Sequence, residues 1–194
     1  MRNNSARWSL SLAAQTLMLL VTALLVPLTA FPATIQPGTE APDFTLTDSE
    51  NNEFSLSDFR GKVVLLDLVG WNCQPCIEDA IGVEAIWQDF KDDEFQVLGL
   101  DFWNGTAQNV QTFIDQTSAT FPVLRDAGFL SLSSQYGITF DNFVIIDPEG
   151  IVRYTSENEA FNPFNDEVIR QIINEHLPKT VEQIEWAAFK GLYR

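Results

Sequence analysis

Apolar and polar residues alternate in two short stretches near residue 50. Phe44 and Leu46 alternate with polar neighbours, as do Phe54 and Leu56, and the turn-forming run Asp48-Ser49-Glu50-Asn51-Asn52 separates them. A short hairpin is expected there. Val63 to Val69 is almost continuously apolar and β-rich, the pattern of a strand covered on both faces. The period then changes to that of a helix starting near Pro75, with Ile77, Ala80, Ile81, Val83, Ile86, Trp87 and Phe90 on its inner side and Gly82 as a point of bending. Phe95 to Phe102 reads as a second buried strand. Val110, Phe113 and Ile114 mark a short amphipathic helix.

Phe143 to Ile146 forms a third apolar strand and turns at Asp147-Pro148-Glu149-Gly150, where proline suits the fixed φ of a β-turn. Ile151, Val152 and Tyr154 return antiparallel to it. A helix follows with Val168, Ile169, Ile172 and Ile173 on one face, capped by Asn165 or Asp166. Ile184, Ala188 and Leu192 then place an amphipathic helix over 180–192. Strands alternating with helices, followed by an antiparallel pair, predict an α/β fold: a mixed central sheet with helices on both faces, an N-terminal hairpin and an extra C-terminal helix.

The first thirty residues carry a different pattern. Arg2 and Arg7 precede the apolar run Leu17 to Leu28, and Leu28-Thr29-Ala30 offers a small-residue cleavage site, so residues 1–30 read as an export signal. The competing reading is a retained membrane anchor over Leu10 to Leu28, with Ser11, Gln15, Thr16 and Pro27 against it. Both place the rest of the chain outside the cytoplasm. Residues 31–41, with Pro32, Pro37 and Gly38 ahead of Pro42, read as an extended linker. The folded domain is expected over 42–178 and a helical extension over 179–194.

Charge removes one class of partner. The 194 residues include 27 acidic and 11 basic ones, a net charge of −16. Such a chain repels phosphate backbones, and nucleic acid is not expected as a partner. Two cysteines and one histidine fall short of the four ligands of a structural zinc site.

The candidate chemistry lies in Trp71-Asn72-Cys73-Gln74-Pro75-Cys76, between a buried strand and a helix. A cysteine at a helix N-terminus meets unpaired N–H groups and the positive end of the dipole, which favour the nucleophilic thiolate. A second cysteine one turn on can attack the resulting mixed disulfide and release product. Pro75 suits the first turn because its missing N–H is not needed there. A purely structural bond would close a four-residue loop and contribute only about 2 kcal/mol on the chain-entropy model. A metal site would have to recruit His176, and an inert reduced pair is at odds with export. Asp67 interrupts the apolar strand, so either face it takes is apolar. A buried carboxyl there has a raised pKa and can take a proton from Cys76. The bland alternative is an aspartate bonded to backbone.

The Cys-x-Pro-Cys at a strand-to-helix junction does not stand alone. Pro42-Asp43-Phe44-Thr45-Leu46 and Leu56-Ser57-Asp58-Phe59-Arg60-Gly61-Lys62-Val63-Val64 precede it. Phe121-Pro122-Val123-Leu124, Tyr136-Gly137-Ile138 and Val144-Ile145-Ile146-Asp147-Pro148-Glu149-Gly150 follow. Together, over about residues 40–176, the chain resembles the redoxin branch of the thioredoxin superfamily, and most closely the TlpA/ResA-like thiol–disulfide oxidoreductases. The resemblance implies a thioredoxin-like fold and an exported, periplasmic or membrane-anchored enzyme. It also implies partners that are protein thiols and disulfides, with an upstream dithiol electron donor. It makes Cys73 the attacking thiol, Cys76 the resolving one and Asp67 the buried acid. No cofactor or metal is implied beyond the redox-active Cys73–Cys76 disulfide.

Two departures stand out. The family usually has tryptophan directly before the first cysteine; here Asn72 holds that place and Trp71 lies one earlier. The family's cis-proline loop reads Thr139-Phe140-Asp141-Asn142-Phe143, with Asp141 nearest the lost proline. A carboxylate there disfavours the thiolate and alters the substrate groove, expected from Trp71, Asn72, Gln74, Pro75, Asp141 and Trp103. Phe102-Trp103-Asn104 ends a core strand, so the aromatics are either a core pair or part of that groove. His176 is expected on the solvated surface. A peroxiredoxin-like peroxidase is disfavoured, because Gly70 and Leu66 occupy the places of its Thr/Ser and Pro relative to Cys73. A copper-handling relative is disfavoured by the two-residue spacing and the single histidine.

Overall fold

The computed structural model describes residues 34–128, 132–156 and 164–179. The expected export signal and the expected helix over 180–192 lie outside them. The hairpin forms from β1 (Thr45–Thr47) and β2 (Glu53–Ser55), antiparallel, with Leu46 opposite Phe54. A 3-10 turn, Leu56–Phe59, follows directly. The central sheet has five strands in the order β5-β4-β3-β6-β7. They are β3 (Val63–Val69), β4 (Phe95–Asp101), β5 (Val123–Leu124), β6 (Asn142–Ile146) and β7 (Val152–Thr155). β3 pairs in parallel with β4 and antiparallel with β6, and all seven of its residues are buried, as its unbroken apolar run requires.

Alternate residues of β3 feed two cores. Val63, Leu65 and Val69 face α1 (Gln74–Phe90), α2 (Ala107–Thr117) and α4 (Asp166–His176), whose Ala80, Val83, Ile86, Val110, Phe113, Ile169 and Ile173 complete that layer. Val64, Leu66 and Leu68 face the other way, toward Phe44, Leu56, Leu132 and Tyr136, the last two from the short α3 (Leu132–Tyr136). The mixed sheet with helices on both faces is the expected one. β5 and α3 are too short to show a period and did not stand out in the sequence.

Three expectations need correction. Residues 34–41 are not an extended linker but pack on the domain: Ile35 and Ala41 are buried, and the Ile35, Gly38 and Ala41 N–H groups donate to Tyr136, Val152 and Gly150 carbonyls at 2.8–3.0 Å. Ile81, assigned to the inner face of α1, is 57% exposed, because the cysteine side of the helix sets the buried stripe one position away. Gly82 sits inside an uninterrupted helix, where a Cβ would come within 2.5 Å of the Phe164 ring; the glycine admits an aromatic contact.

Side-chain anchors hold the ends of these elements. Asn165 caps α4 by accepting the Val168 N–H at 3.2 Å, the position expected from the sequence. Buried Asp147 accepts the Glu149 and Ile151 N–H groups and pairs with Arg153, which fixes the β6–β7 turn.

Candidate active site

β3 ends at Val69, and the chain passes through Gly70, Trp71 and Asn72 into α1. Cys73 is the N-cap of α1, extended at φ −81° and ψ 112°, and its N–H donates to the Gly70 carbonyl at 2.8 Å. Its Sγ accepts the Cys76 N–H at 3.3 Å, so one of the free amides of the helix end points at the first sulfur. Pro75 lies in the first turn, as expected. Cys73 and Cys76 are joined in a disulfide, with Cα atoms 5.3 Å apart and exposures of 5% and 2%. The bond sits just beneath the surface at the start of a helix.

Asp67 alternates with Leu65 and Val69, so its side chain takes the sheet face that also carries both cysteines. It is 2% exposed and its Oδ2 has no hydrogen-bond partner. Burial pushes this carboxyl well above the ordinary carboxylate range, and nearby Asp79 and Asp141 push it further. The bland alternative, an aspartate satisfied by backbone, does not describe Oδ2.

Asp141 stands beside the disulfide. A carboxylate oxygen of Asp141 and the two sulfurs all lie within 4.8 Å of one another. The described residues contain no cis peptide bond; Asp141 instead takes a left-handed φ of 61°, and its N–H donates to Leu68 O at 2.6 Å. Its Oδ1 is out of water and unpartnered, and burial raises its pKa. His176 takes no part in this group. It ends α4 half-buried, not fully solvated as expected.

The aromatics divide. Phe102 belongs to the core, whereas Trp103 is 36% exposed, packs edge-on against Phe140 at 5.1 Å and lies over Gly70, where a Cβ would come within 2.5 Å of its ring. Trp71 is half-buried; Asn72, Gln74 and Pro75 are exposed, and Gln74 donates to Glu78 at 3.0 Å. The structure thus brings Trp71, Trp103, Phe140 and Asp141 to the end of the sheet that carries the cysteines.

Two residues escaped the sequence reading. Asp101 ends β4 opposite Val69, fully buried, and its carboxylate accepts the N–H groups of Trp71 (3.0 Å), Trp103 (3.2 Å) and Gly105. It ties the approach to the cysteine motif to the loop that carries Trp103. Its signal was an acid interrupting the apolar run Phe95 to Phe102, the same signal that marked Asp67. Asp79, one helical turn after Cys76, is half-buried; burial first, then Asp141 and Glu78, raise its pKa to about 6. Nothing in its sequence setting separates it from a solvated helix acid.

The AhpC/TSA family model matches residues 37–155, which takes in the hairpin, the cysteine motif and the β6–β7 pair. The chain belongs to the AhpC/TSA family. Within this family it is similar to the thiol-disulfide oxidoreductase ResA of Bacillus anthracis, 30% identical over 152 residues that cover 78% of this chain and 76% of the relative. The thioredoxin-like protein YneN of Bacillus subtilis is 29% identical over 122 residues, covering 61% of this chain and 70% of that one. A solved thiol-disulfide oxidoreductase from Bacteroides fragilis superposes with a TM-score of 0.61 over 72% of this chain and all of its own, and at 21% identity shows the shared thioredoxin-like fold. The family assignment, these oxidoreductase relatives and the Cys73–Cys76 disulfide make this family member a thiol–disulfide oxidoreductase.

Proposed function

We propose that the protein is an exported reductase of protein disulfides, with Cys73 as nucleophile, Cys76 as resolving thiol and Asp67 as proton acceptor. The carrying observation is the Cys73 Sγ at the α1 N-cap, accepting an amide of the first turn, together with a buried carboxyl on the same sheet face. The Cys73 thiolate attacks one sulfur of a substrate disulfide, forming a mixed disulfide and expelling the other sulfur as a thiolate. Cys76 then loses its proton and attacks the Cys73 sulfur. The Cys73–Cys76 bond forms, the second substrate thiolate leaves, and two electrons have passed to the substrate. A carboxylate of raised pKa is basic enough to receive that proton, which ionised Asp67 at its ordinary pKa would not be. An upstream dithiol returns the enzyme to its reduced form.

Reduction is favoured over oxidation by the local charge. Strong oxidants of this chemistry owe their potential to a stabilised reduced state. Here Asp141 beside the sulfurs destabilises a thiolate. Export is supported by the basic and apolar pattern of residues 1–30. A Cys76→Ser variant tests the assignment: it should accumulate a mixed disulfide through Cys73 with substrate protein, whereas Cys73→Ser should trap nothing. Trapping through the wrong cysteine, or none at all, would reverse the roles or remove them.

The grouping of Cys73, Cys76 and Asp141 favours one other reading, metal binding by the reduced pair. Tight Cu(I) binding by reduced protein that fails to exchange disulfides would support it.

A further inference from the structure

Among the described residues, no basic side chain is paired with the carboxylates around the disulfide. A carboxylate oxygen of Asp141 lies within 4.8 Å of both sulfurs; Asp79 and Asp141 both raise the pKa of Asp67, and Asp141 raises that of Asp79. The charged groups acting on Asp67 and Asp79 are all acidic: Asp79, Asp141 and Glu78. The arginines of the described residues are engaged elsewhere. Arg60 pairs with Glu40, Arg153 with Asp147, and Arg170 with Asp89 and Asp166. Arg125 is bound to Asp48 O and Asn51 in the hairpin. Two carboxylate oxygens, Asp67 Oδ2 and Asp141 Oδ1, lack any donor, and Asp67 is 98% buried on the disulfide side of the sheet. Beside them stand Trp103, 36% exposed, and Phe140, which together give an apolar and aromatic edge to the same mouth.

Asp67 is retained as the proton acceptor, but Asp141 and Asp79 have no such role, and half-buried carboxylates without a basic partner gain when an incoming cation brings the missing charge. We propose that the substrates of this oxidoreductase are disulfides flanked by lysine or arginine, whose cation seats against Asp141 and Asp79 while the aliphatic stem lies on Trp103. This rests on the disulfide-exchange reading above and adds the substrate class to it. A docked cation pairs with the accessible side of the half-buried Asp141 carboxylate and with Asp79. It also offsets the negative field at Cys73, so the nucleophile is most reactive when the right substrate is in place. The opposite sign, an acidic flank, meets Asp141 and Asp79 and is repelled.

The test uses the full chain, reduced beforehand with a dithiol and freed of it, and three synthetic peptides with the same internal disulfide flanked by Lys, Gln or Glu. Second-order rates of thiol consumption are followed by quenching with an alkylating agent, with neutral 2-hydroxyethyl disulfide as the reference substrate. The expected order is Lys, then Gln, then Glu. The Lys-to-Glu ratio should be about tenfold or more at about 20 mM salt, and fall several-fold at about 0.5 M as screening sets in. Asp79→Asn and Asp141→Asn should each narrow the ratio; the wild-type comparison stands even where one of them fails to fold. Equal rates for the three peptides, with the reference disulfide reduced, would overturn the substrate class and leave the oxidoreductase standing. Failure to reduce the reference disulfide as well would overturn both.

Discussion

Burial raises the pKa values of Asp67, Asp79 and Asp141, which makes the site sensitive to pH. Asp67 and Asp79 have folded-state pKa values above their unfolded ones, well above for Asp67 and about 6 against 3.8 for Asp79. The native state therefore holds these protons more tightly than the unfolded chain does. Their contribution favours folding below the unfolded pKa and is lost as pH rises through the folded one. For Asp79 that window runs from about pH 4 to about pH 6, and for Asp67 it extends higher. Asp67→Asn and Asp79→Asn should thus stabilise the protein at pH 8 relative to wild type and change it little at pH 4. Thermal melts at the two values check this; a variant that loses stability at pH 8 would contradict it. In rate, Asp67→Asn should slow release of the mixed disulfide by about 10²-fold, the usual reach of a positioned proton acceptor, and leave the first attack nearly unchanged. Stopped-flow mixing of reduced protein with substrate separates the two steps.

At the scale of elements, the junction of β3 and α1 is held by contacts that reach across the chain. Asp101 accepts three N–H groups from the two loops beside the site. Asp101→Ala strands these buried donors and should cost about 3 kcal/mol, with Asp101→Asn milder because its amide oxygen still accepts. Urea unfolding measures both, and equal costs for the two would show that charge, not acceptor geometry, holds the loops. Gly70→Ala should displace Trp103 and cost about 1–3 kcal/mol, the range for overpacking. A shift in Trp emission reports it directly.

These contacts also show where sequence reading reached and where it stopped. β3, α1, β4, α2, β6 and α4 were legible because burial imprints a period of 2, a period of 3.6 or an unbroken apolar run on several residues at once. β5, with two residues, and α3, with five, are set by pairing and packing against distant partners and leave no such imprint. Cys73, Cys76 and Asp67 could be picked out because each is chemically out of place in its local pattern. Asp101 had the same mark and was passed over beside the aromatic pair. Asp79 acquires its surroundings only when the loop before β6 folds back beside α1, which no local pattern encodes. Residues 34–41 show the converse: proline and glycine suggested an extended linker, but the chain turns at Gly38 and hydrogen-bonds to β7 and α3, contacts that no local pattern encodes.

For the whole molecule, charge and fold act together. The chain carries −16 overall, and the sheet brings carboxylates to the edge where the sulfurs emerge. A field of this sign repels anionic partners at long range and raises the free energy of a thiolate at short range. The second effect, by disfavouring the thiolate of the reduced form, is expected to draw the Cys73–Cys76 couple toward the reducing end of the scale. The measurement that tests this most directly is a redox titration in dithiol buffers, read by tryptophan fluorescence and confirmed by thiol alkylation. The account predicts one reversible two-electron transition lying nearer the thioredoxin value of about −270 mV than the DsbA value of about −120 mV. A transition near the DsbA value would make the protein an oxidant, and the absence of any reversible transition would contradict disulfide exchange by Cys73 and Cys76 altogether.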